Sequence, residues 1–341
     1  MEHPPPLLPE RHPQHDLFIC DVADAVLKDV MPQMEHPFFA LAKRPDTTIR
    51  HYEHNGQWLK VIPGVMGLAT IYDKDILIYC ISQIMAKLNS GERVSKRVKI
   101  NSYDLLVFTN RGTSGRDYMA LRDSLERLRG TTISTNIQTG EKQQIDTFGL
   151  IDSSSIELSE GYEGRLLSCE VTLSDWVFNA IEHNEVLTLH RDYFRLRKPI
   201  ERRIYEIARK HCGSQATWRI SLEMLHKKSG SRAGEVRFRQ SVAEVASTDH
   251  LPDYHTSFDR ANDMVVFTSR GTVPTLIEEV YPWAGKLDPS IYDQMREVAP
   301  GWDVRVIEQE WRQWLGENEI APQHPERHLL KFAKSWADRN K

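Results

Sequence analysis

Apolar residues in this chain recur at helical spacing in two separated stretches, and each stretch is followed by the same series of short polar and β-branched segments. In the first, Leu77, Ile81, Ile84 and Leu88 fall on one face of a helix that begins near Asp73 and stops at Asn89-Ser90-Gly91. Ser102 is placed to cap a short helix through Leu105 and Leu106, and Asn110 to Gly115 reads as a turn. Tyr118, Leu121, Leu125 and Leu128 then form the stripe of a third helix, Ser114 to Arg129, closed by Gly130. The run Thr131 to Ile137, the turn Thr139-Gly140-Glu141-Lys142 and the run Gln144 to Leu150 predict a hairpin.

The plan returns between Pro199 and Arg270. Ile200, Ile204 and Ile207 face one way on a helix with Pro199 in its first turn, where a missing N–H costs nothing. Ser221 starts a helix carrying Leu222 and Leu225, and Lys227-Lys228-Ser229-Gly230-Ser231 forms a basic turn. Phe238, Val242 and Val245 give the core stripe of the next helix, Arg232 to Ala246, and leave Arg232, Arg237, Arg239 and Gln240 outside. Asp253 to Phe258 and Met264 to Thr268 flank a second hairpin turn. Between the copies, Val171 to Leu173 reads as a strand and Ser174 to Glu182 as a helix capped by Ser174 and Asp175, so the first copy ends near Leu189.

Helix, short helix, small-residue turn, basic helix and hairpin is how a winged helix reads in sequence, a variant of the helix-turn-helix. The expected fold is therefore α+β and helix-rich: two tandem winged helices and a helical C-terminal extension. The boundaries fall at 1–63 for a leader and cap, 64–189 and 190–271 for the winged helices, and 272–341 for the extension. Pro4 to Pro13 reads as a disordered leader and Asp16 to Pro63 as a partly helical cap. In the extension, Val304, Ile307, Trp311 and Leu315 form one apolar stripe, with Glu308, Glu310 and Arg312 outward, and Leu329, Leu330, Phe332, Ala333 and Trp336 form another. Such helices ordinarily pack on each other or on the neighbouring domain; the other reading is a docking surface for a partner protein.

Charge sharpens this picture. The whole chain carries net -4, but His190 to Gln240 holds 14 Lys and Arg against 5 Asp and Glu, net +9, and Arg93 to Gly130 holds 9 against 4, net +5. Leu276 to Glu326 holds 4 against 11, net -7. Polyphosphate attracts the first two stretches and repels the third. A single basic helix is more simply a solvated face, but two clusters on the same element of a repeated pattern favour nucleic acid. No stretch reaches the roughly 20 apolar residues that cross a bilayer, and the Pro-rich start lacks the regions of a signal peptide, so a cytoplasmic protein without membrane contact is expected. Cys20, Cys80, Cys169 and Cys212 are widely spaced, which predicts neither a disulfide framework nor a CxxC unit.

Several motifs in order carry a family resemblance: Gly67-Leu-Ala-Thr-Ile-Tyr-Asp-Lys-Asp-Ile-Leu-Ile-Tyr79, Thr109-Asn-Arg-Gly-Thr-Ser114, Phe148-Gly-Leu-Ile-Asp152, Val171-Thr-Leu-Ser-Asp-Trp176, Asp192-Tyr-Phe-Arg-Leu-Arg-Lys-Pro199 and Leu225-His-Lys-Lys-Ser-Gly230. Over roughly Gln14 to Arg270 the chain resembles the replication initiator protein A family of bacterial plasmids. The resemblance implies a double-stranded DNA-binding protein that binds repeated origin sequences, helps open the adjacent duplex and contacts the host initiator and replicative helicase. Related initiators also repress their own gene as dimers. The second copy's third helix would read bases, and the first copy's would contact the flanking groove or backbone. The resemblance assigns DNA contacts to Arg116, Arg122, Arg127, Lys227, Lys228, Arg232, Arg237 and Arg239, with Gln240 beside them. Arg195, Arg197 and Lys198 have two readings, a phosphate clamp or partners for acids such as Asp192 and Glu201. Glu235 is either a cytosine acceptor or an ordinary first-turn carboxylate.

The alternative function is a dimeric winged-helix repressor, and a rolling-circle endonuclease stands third. No enzyme chemistry is expected. The sequence has no Gly-x-x-x-x-Gly-Lys-Ser/Thr loop, and His51 and His54 have neither HExxH nor His-x-His spacing, so no cofactor, metal or tyrosine nucleophile is assigned.

Overall fold

The computed structural model describes residues 7–12, 27–42, 46–54, 56–89, 92–139, 145–158, 166–213, 215–271, 287–288, 290–300, 302, 304–317, 322 and 324–339. Cys20 and the tip of the first expected hairpin, Gly140 to Lys142, lie outside them. The chain is of mixed helix and sheet and forms two compact units, Met1–Ala86 with Val94–Val273, and Lys87–Arg93 with Pro274–Lys341.

The first unit opens with β1 (Lys28–Val30), α1 (Met31–Glu35), β2 (Arg50–His54) and β3 (Gln57–Ile62). Next come α2 (Lys74–Asn89), β4 (Arg97–Asn101), α3 (Ser102–Phe108) and α4 (Gly115–Gly130), then β5 (Thr132–Thr135), β6 (Asp146–Gly149), β7 (Ile151–Leu158), β8 (Leu166–Leu173), α5 (Asp175–Glu182) and β9 (Val186–Thr188). A short 3-10 turn, Arg191–Arg195, leads to α6 (Pro199–His211), β10 (Thr217–Ser221), α7 (Leu222–Ser229), α8 (Glu235–Thr248), β11 (Tyr254–Asp259) and β12 (Met264–Ser269).

The repetition is present in the topology. In the first half α2, β4, α3, α4, β7 and β8 follow one another with strand order β4-β8-β7; in the second, α6, β10, α7, α8, β11 and β12 follow with strand order β10-β12-β11. The hairpin expected at Thr131 to Leu150 also forms, with Ile133 opposite Phe148, but it belongs elsewhere. Its β5 pairs with β3 in a four-stranded sheet, β2-β3-β5-β6, while the strands equivalent to β11 and β12 are β7 and β8.

The N-terminal region also departs from expectation. Leu7 to His12 is ordered: Leu8 N donates to Arg195 O at 2.8 Å, and Arg11 N donates to Asn110 Oδ1 at 2.8 Å. The described part of the expected partly helical cap holds one short helix, α1, and three strands, with β1 paired to β9 and β2 to β3. The short second helix of the first copy, α3, is capped one residue early, by Asn101, whose Oδ1 accepts from Tyr103 N at 2.9 Å; Ser102 is buried in the helix. The caps at Ser174 and Ser221 form as expected.

Helix α2 is buried on every face from Lys74 to Met85, as befits a helix at the centre of a core rather than on its surface. Two charged residues of its first turn therefore need internal partners. Lys74 Nζ lies 2.6 Å from Asp29 and 3.0 Å from Glu206, and Asp75 is bracketed by Arg202 at 2.7 Å and Arg111 at 3.0 Å. On α6, Arg203 donates to Met34 O at 2.7 Å and to Glu35 O and Lys228 O at 2.9 Å each, satisfying carbonyls at the ends of α1 and α7. Tyr193 OH donates to Glu206 Oε1 at 2.7 Å. These groups tie the N-terminal segment and both repeats together through one buried polar layer.

The second unit contains α9 (Ile291–Val298), α10 (Val304–Glu317) and α11 (Pro325–Arg339). Ile291, Met295, Val304, Ile307, Trp311, Leu315, Leu329 and Ala333 form its own core, so the two expected stripes pack on each other and on α9, a helix the hydrophobic pattern did not announce. Glu308 turns inward instead of outward, accepting from Tyr292 OH, Arg305 and Arg312 at 2.9–3.0 Å.

Lys74→Ala leaves Asp29 and Glu206 facing each other without their cation, and should cost about 3–5 kcal/mol in urea unfolding. Burial pushes the Asp29 carboxyl up to about 6, against the pull of Lys74. A folded-state value above the ordinary 3.8 means that Asp29 stabilises the fold fully below about pH 4 and loses that contribution as pH rises through 6. The stability of the wild type relative to Asp29→Asn should therefore fall between pH 4 and pH 6, measured by unfolding both proteins across that range.

Candidate nucleic-acid interface

The second repeat presents α8 through a tightly held turn. Ser221 Oγ accepts from Met224 N at 3.2 Å to start α7, and Gly230 ends it in the left-handed conformation at φ 66°. A Cβ at Gly230 would lie 2.5 Å from Pro37 Cβ, and Tyr52 OH donates to Gly230 O at 3.3 Å. Glycine is required there both for its conformation and for this close approach. Phe238, Val242 and Val245 then seat α8 in the core, with the His226 ring stacked 4.2 Å from that of Phe238.

The outward side of this pair of helices carries Lys227, Arg232, Val236, Arg237 and Gln240, all exposed. Arg232 is steadied by Asp46 at 3.3 Å and Thr48 at 3.2 Å. Lys228 is drawn aside, its Nζ 2.7 Å from Glu35 Oε1. Hydrogen bonding to His211 and to Lys228 holds the Glu35 carboxyl well below the usual range. Arg239 is also engaged: its guanidinium binds both oxygens of Asp263, in the β11–β12 turn, and Glu235 at 3.2 Å. The Asp263 hydrogen bonds, followed by Glu235, raise the pKa of Arg239. Glu235 thus acts as a partner of Arg239, and the Arg239–Asp263 pair joins the hairpin to the helix.

The first repeat's α4 is built in a similar way. Asp117 accepts from Ser114 N at 3.0 Å to close a capping box, and Tyr118, Leu121, Leu125 and Leu128 are buried. Arg116 and Arg122 are exposed, although Arg122 has Glu126 at 3.5 Å. Arg127 faces the interior, where its Nε and Nη2 each donate to Asp73 at 2.8 Å. Its pKa is raised, chiefly by the hydrogen bonds it donates to Asp73. Asp73 in turn accepts from Thr70 N at 2.8 Å, so this pair fixes the entry to α2.

Arg195, Arg197 and Lys198 separate from one another. Arg195 binds Leu8 O at 2.8 Å and Asp192 at 2.9 Å. Arg197 is half-buried, and its carbonyl accepts from Tyr72 OH at 2.8 Å. Lys198 is exposed and pairs with Glu244 of α8, and its backbone N–H donates to Glu201 at 2.9 Å. Among the described residues no group of three or more His, Cys, Asp or Glu could hold a metal ion. None of the helices among those residues is long and apolar enough to cross a membrane. Cys80, Cys169 and Cys212 are free and buried, and burial raises all three thiol pKa values.

Val236 and Asp263 escaped the sequence reading, which looked for cations on the helix. The signal for Asp263 was its place in a turn following the basic helix. Val236 offered none beyond its offset from the core stripe.

Comparison with known proteins places the chain among replication proteins. The chain is 38% identical over 258 residues, 75% of its length and 94% of the relative's, to a protein of Wigglesworthia glossinidia brevipalpis named as a replication protein. The family model for Replication initiator protein A matches residues 28–256, and the chain belongs to that family. Two crystal structures of domains 2 and 3 of RctB align at TM-scores of 0.47 and 0.49, with 14% and 12% identity. They cover 68% and 70% of this chain and 94% and 96% of the RctB chains.

Removing Arg127 leaves the Asp73 carboxylate buried without its cation, whereas Arg237 stands in solvent. Arg127→Ala should therefore lower stability by about 3 kcal/mol or more, and Arg237→Ala by less than about 0.5 kcal/mol. Thermal and urea unfolding of the two variants reads the difference.

Proposed function

We propose that this chain is a plasmid replication initiator whose two repeats act as winged helices on repeated origin DNA. Binding several repeats would help open the adjacent duplex and bring the host initiator and helicase to it, and a dimer of the chain would repress its own gene. The observation that carries the reading is the outward side of α7 and α8, where Lys227, Arg232, Arg237 and Gln240 stand exposed on a helix whose opposite face is seated in the core. Membership of the Replication initiator protein A family supports it independently.

In this reading α8 enters the major groove, and α4 lies along a neighbouring groove or the backbone. The exposed Arg116 and Arg122 serve α4, although Asp123 and Glu126 on its exposed side weaken its attraction to phosphate. The β7–β8 and β11–β12 hairpins are the wings, and the Arg239–Asp263 pair fixes the second wing against its helix. Arg127, Arg195 and Lys228 hold the protein in shape for this surface rather than touching DNA. The chain works by binding energy, with no ATP or metal chemistry of its own; bending a DNA site costs of order 1–6 kcal/mol, which contacts to several repeats offset.

The test is affinity for the DNA beside the gene as a function of salt. Each phosphate contact contributes about 0.9 to the slope of log K against log salt, so Lys227→Ala and Arg237→Ala should each lower affinity and, where the residue touches phosphate, reduce the slope by about that amount. Unchanged binding in both variants would displace α8 from the interface. Footprints on direct repeats beside an AT-rich tract are expected; protection confined to one inverted repeat would favour the dimeric repressor.

A further inference from the structure

The exposed side of α8 has a chemistry that its cations do not describe. Val236, in the first turn, is 72% exposed. It lies four residues before Gln240, and Arg237 lies three before Gln240, so the three side chains share one strip of helix surface. The core stripe Phe238, Val242 and Val245 occupies the other side. The charged neighbours are already engaged: Glu235 and Arg239 bind each other, and Arg239 is held by Asp263. What faces outward is therefore a branched methyl pair, a guanidinium and a carboxamide. The start of the strip is open among the described residues, since a Cβ built on the preceding Gly234 meets no atom within 4 Å.

Each of these three groups has its own complement on base edges. A guanidinium matches the O6 and N7 of guanine and a carboxamide the N6 and N7 of adenine, while the only apolar group in the major groove is the 5-methyl of thymine. A valine side chain has nothing to offer a phosphate. A β-branched residue is also a weaker helix former than alanine, and Val236 leaves its methyl groups in water in the free protein. Resting on the reading of α8 as the groove-entering helix, we propose that Val236 is a specificity-determining residue that packs on the 5-methyl group of one thymine in each recognised repeat. Arg237 and Gln240 read the bases beside it. The equivalent strip of α4 also exposes an apolar residue, Met119, but Asp123 and Glu126 stand on the exposed side of the same helix.

The experiment uses the full chain and a duplex it selects from a randomised pool. Each thymine of that duplex is replaced in turn by deoxyuridine, which removes the methyl group and nothing else. One replacement should weaken wild-type binding about 4-fold, the transfer value of a single buried methyl or methylene group. Val236→Ala should weaken binding to the thymine duplex by a similar factor, lose sensitivity to that one replacement and keep sensitivity to salt. The two losses would then be non-additive, as for groups in direct contact. Its thermal unfolding should match the wild type, because the side chain is exposed.

The inference is overturned if no deoxyuridine weakens the wild type, or if Val236→Ala responds to every replacement as the wild type does. It is equally overturned if Val236→Ala changes the sedimentation of the free protein while its response to deoxyuridine is unaltered, which would place Val236 in a protein contact. A wild-type chain that selects no sequence would instead remove the DNA-binding reading on which the inference rests.

Discussion

The burial of Lys74 is the constraint from which the rest of the first unit follows. An ammonium group at the centre of a core is tolerable only with close counter-charges, and the two that satisfy it come from opposite directions, Asp29 near the start of the chain and Glu206 on α6. One residue further along, Asp75 draws Arg202 from α6 and Arg111 from the turn before α4. The helix that leads each repeat is thus bonded to its counterpart through charge pairs that lose much of their stabilisation if either helix shifts. Arg203 extends the same layer to the carbonyl ends of α1 and α7. The turn that presents α8 is consequently connected, through one guanidinium, to the interior of the molecule.

This layer also explains why basic residues of the same type have such different surroundings. Lys74, Arg202 and Arg203 are internal, and Arg127 and Arg111 are largely so, each matched to a carboxylate or carbonyl. Arg116, Arg122, Arg232 and Arg237 remain exposed. Net charge along the sequence counts both groups alike. The strongly positive stretch around α6 to α8 owes part of its charge to residues that support the structure from within, and only the remainder is available to a polyanion.

Where apolar spacing was regular, the sequence was legible. The stripes of α4, α8 and α10 are buried at the positions their periodicity marks, and the caps at Ser174 and Ser221 sit where a hydroxyl precedes such a stripe. Helix α2 misled in one respect: its stripe was visible, but a helix buried all round has no solvent face for a stripe to define. The β2–β3 hairpin was legible and overlooked, since the two-residue Asn55-Gly56 connection between alternating strands is a strong local hairpin signal. The β7–β8 pair was harder, because Ser153, Ser154 and Ser155 erase the alternation and β8 pairs with β4, about seventy residues earlier. The site followed the same logic. Helical phase separated the outward residues of α8 from its core, but whether an arginine such as Arg127 finds an internal acid depends on Asp73, brought to it by tertiary packing.

The left-handed Gly230, pressed on Pro37 and Tyr52, separates what holds the molecule together from what it displays. Before that residue, Leu222, Leu225 and Ser229 of α7 are buried in the interior, and the strip of Val236, Arg237 and Gln240 after it is exposed. Alterations on the strip can therefore accumulate, one side chain at a time, without unsettling the scaffold. Under the proposed reading of α8, a lineage of such proteins acquires new target sequences by small exchanges on one helix, and two replicons sharing a cell come to ignore each other while their initiators keep the same framework.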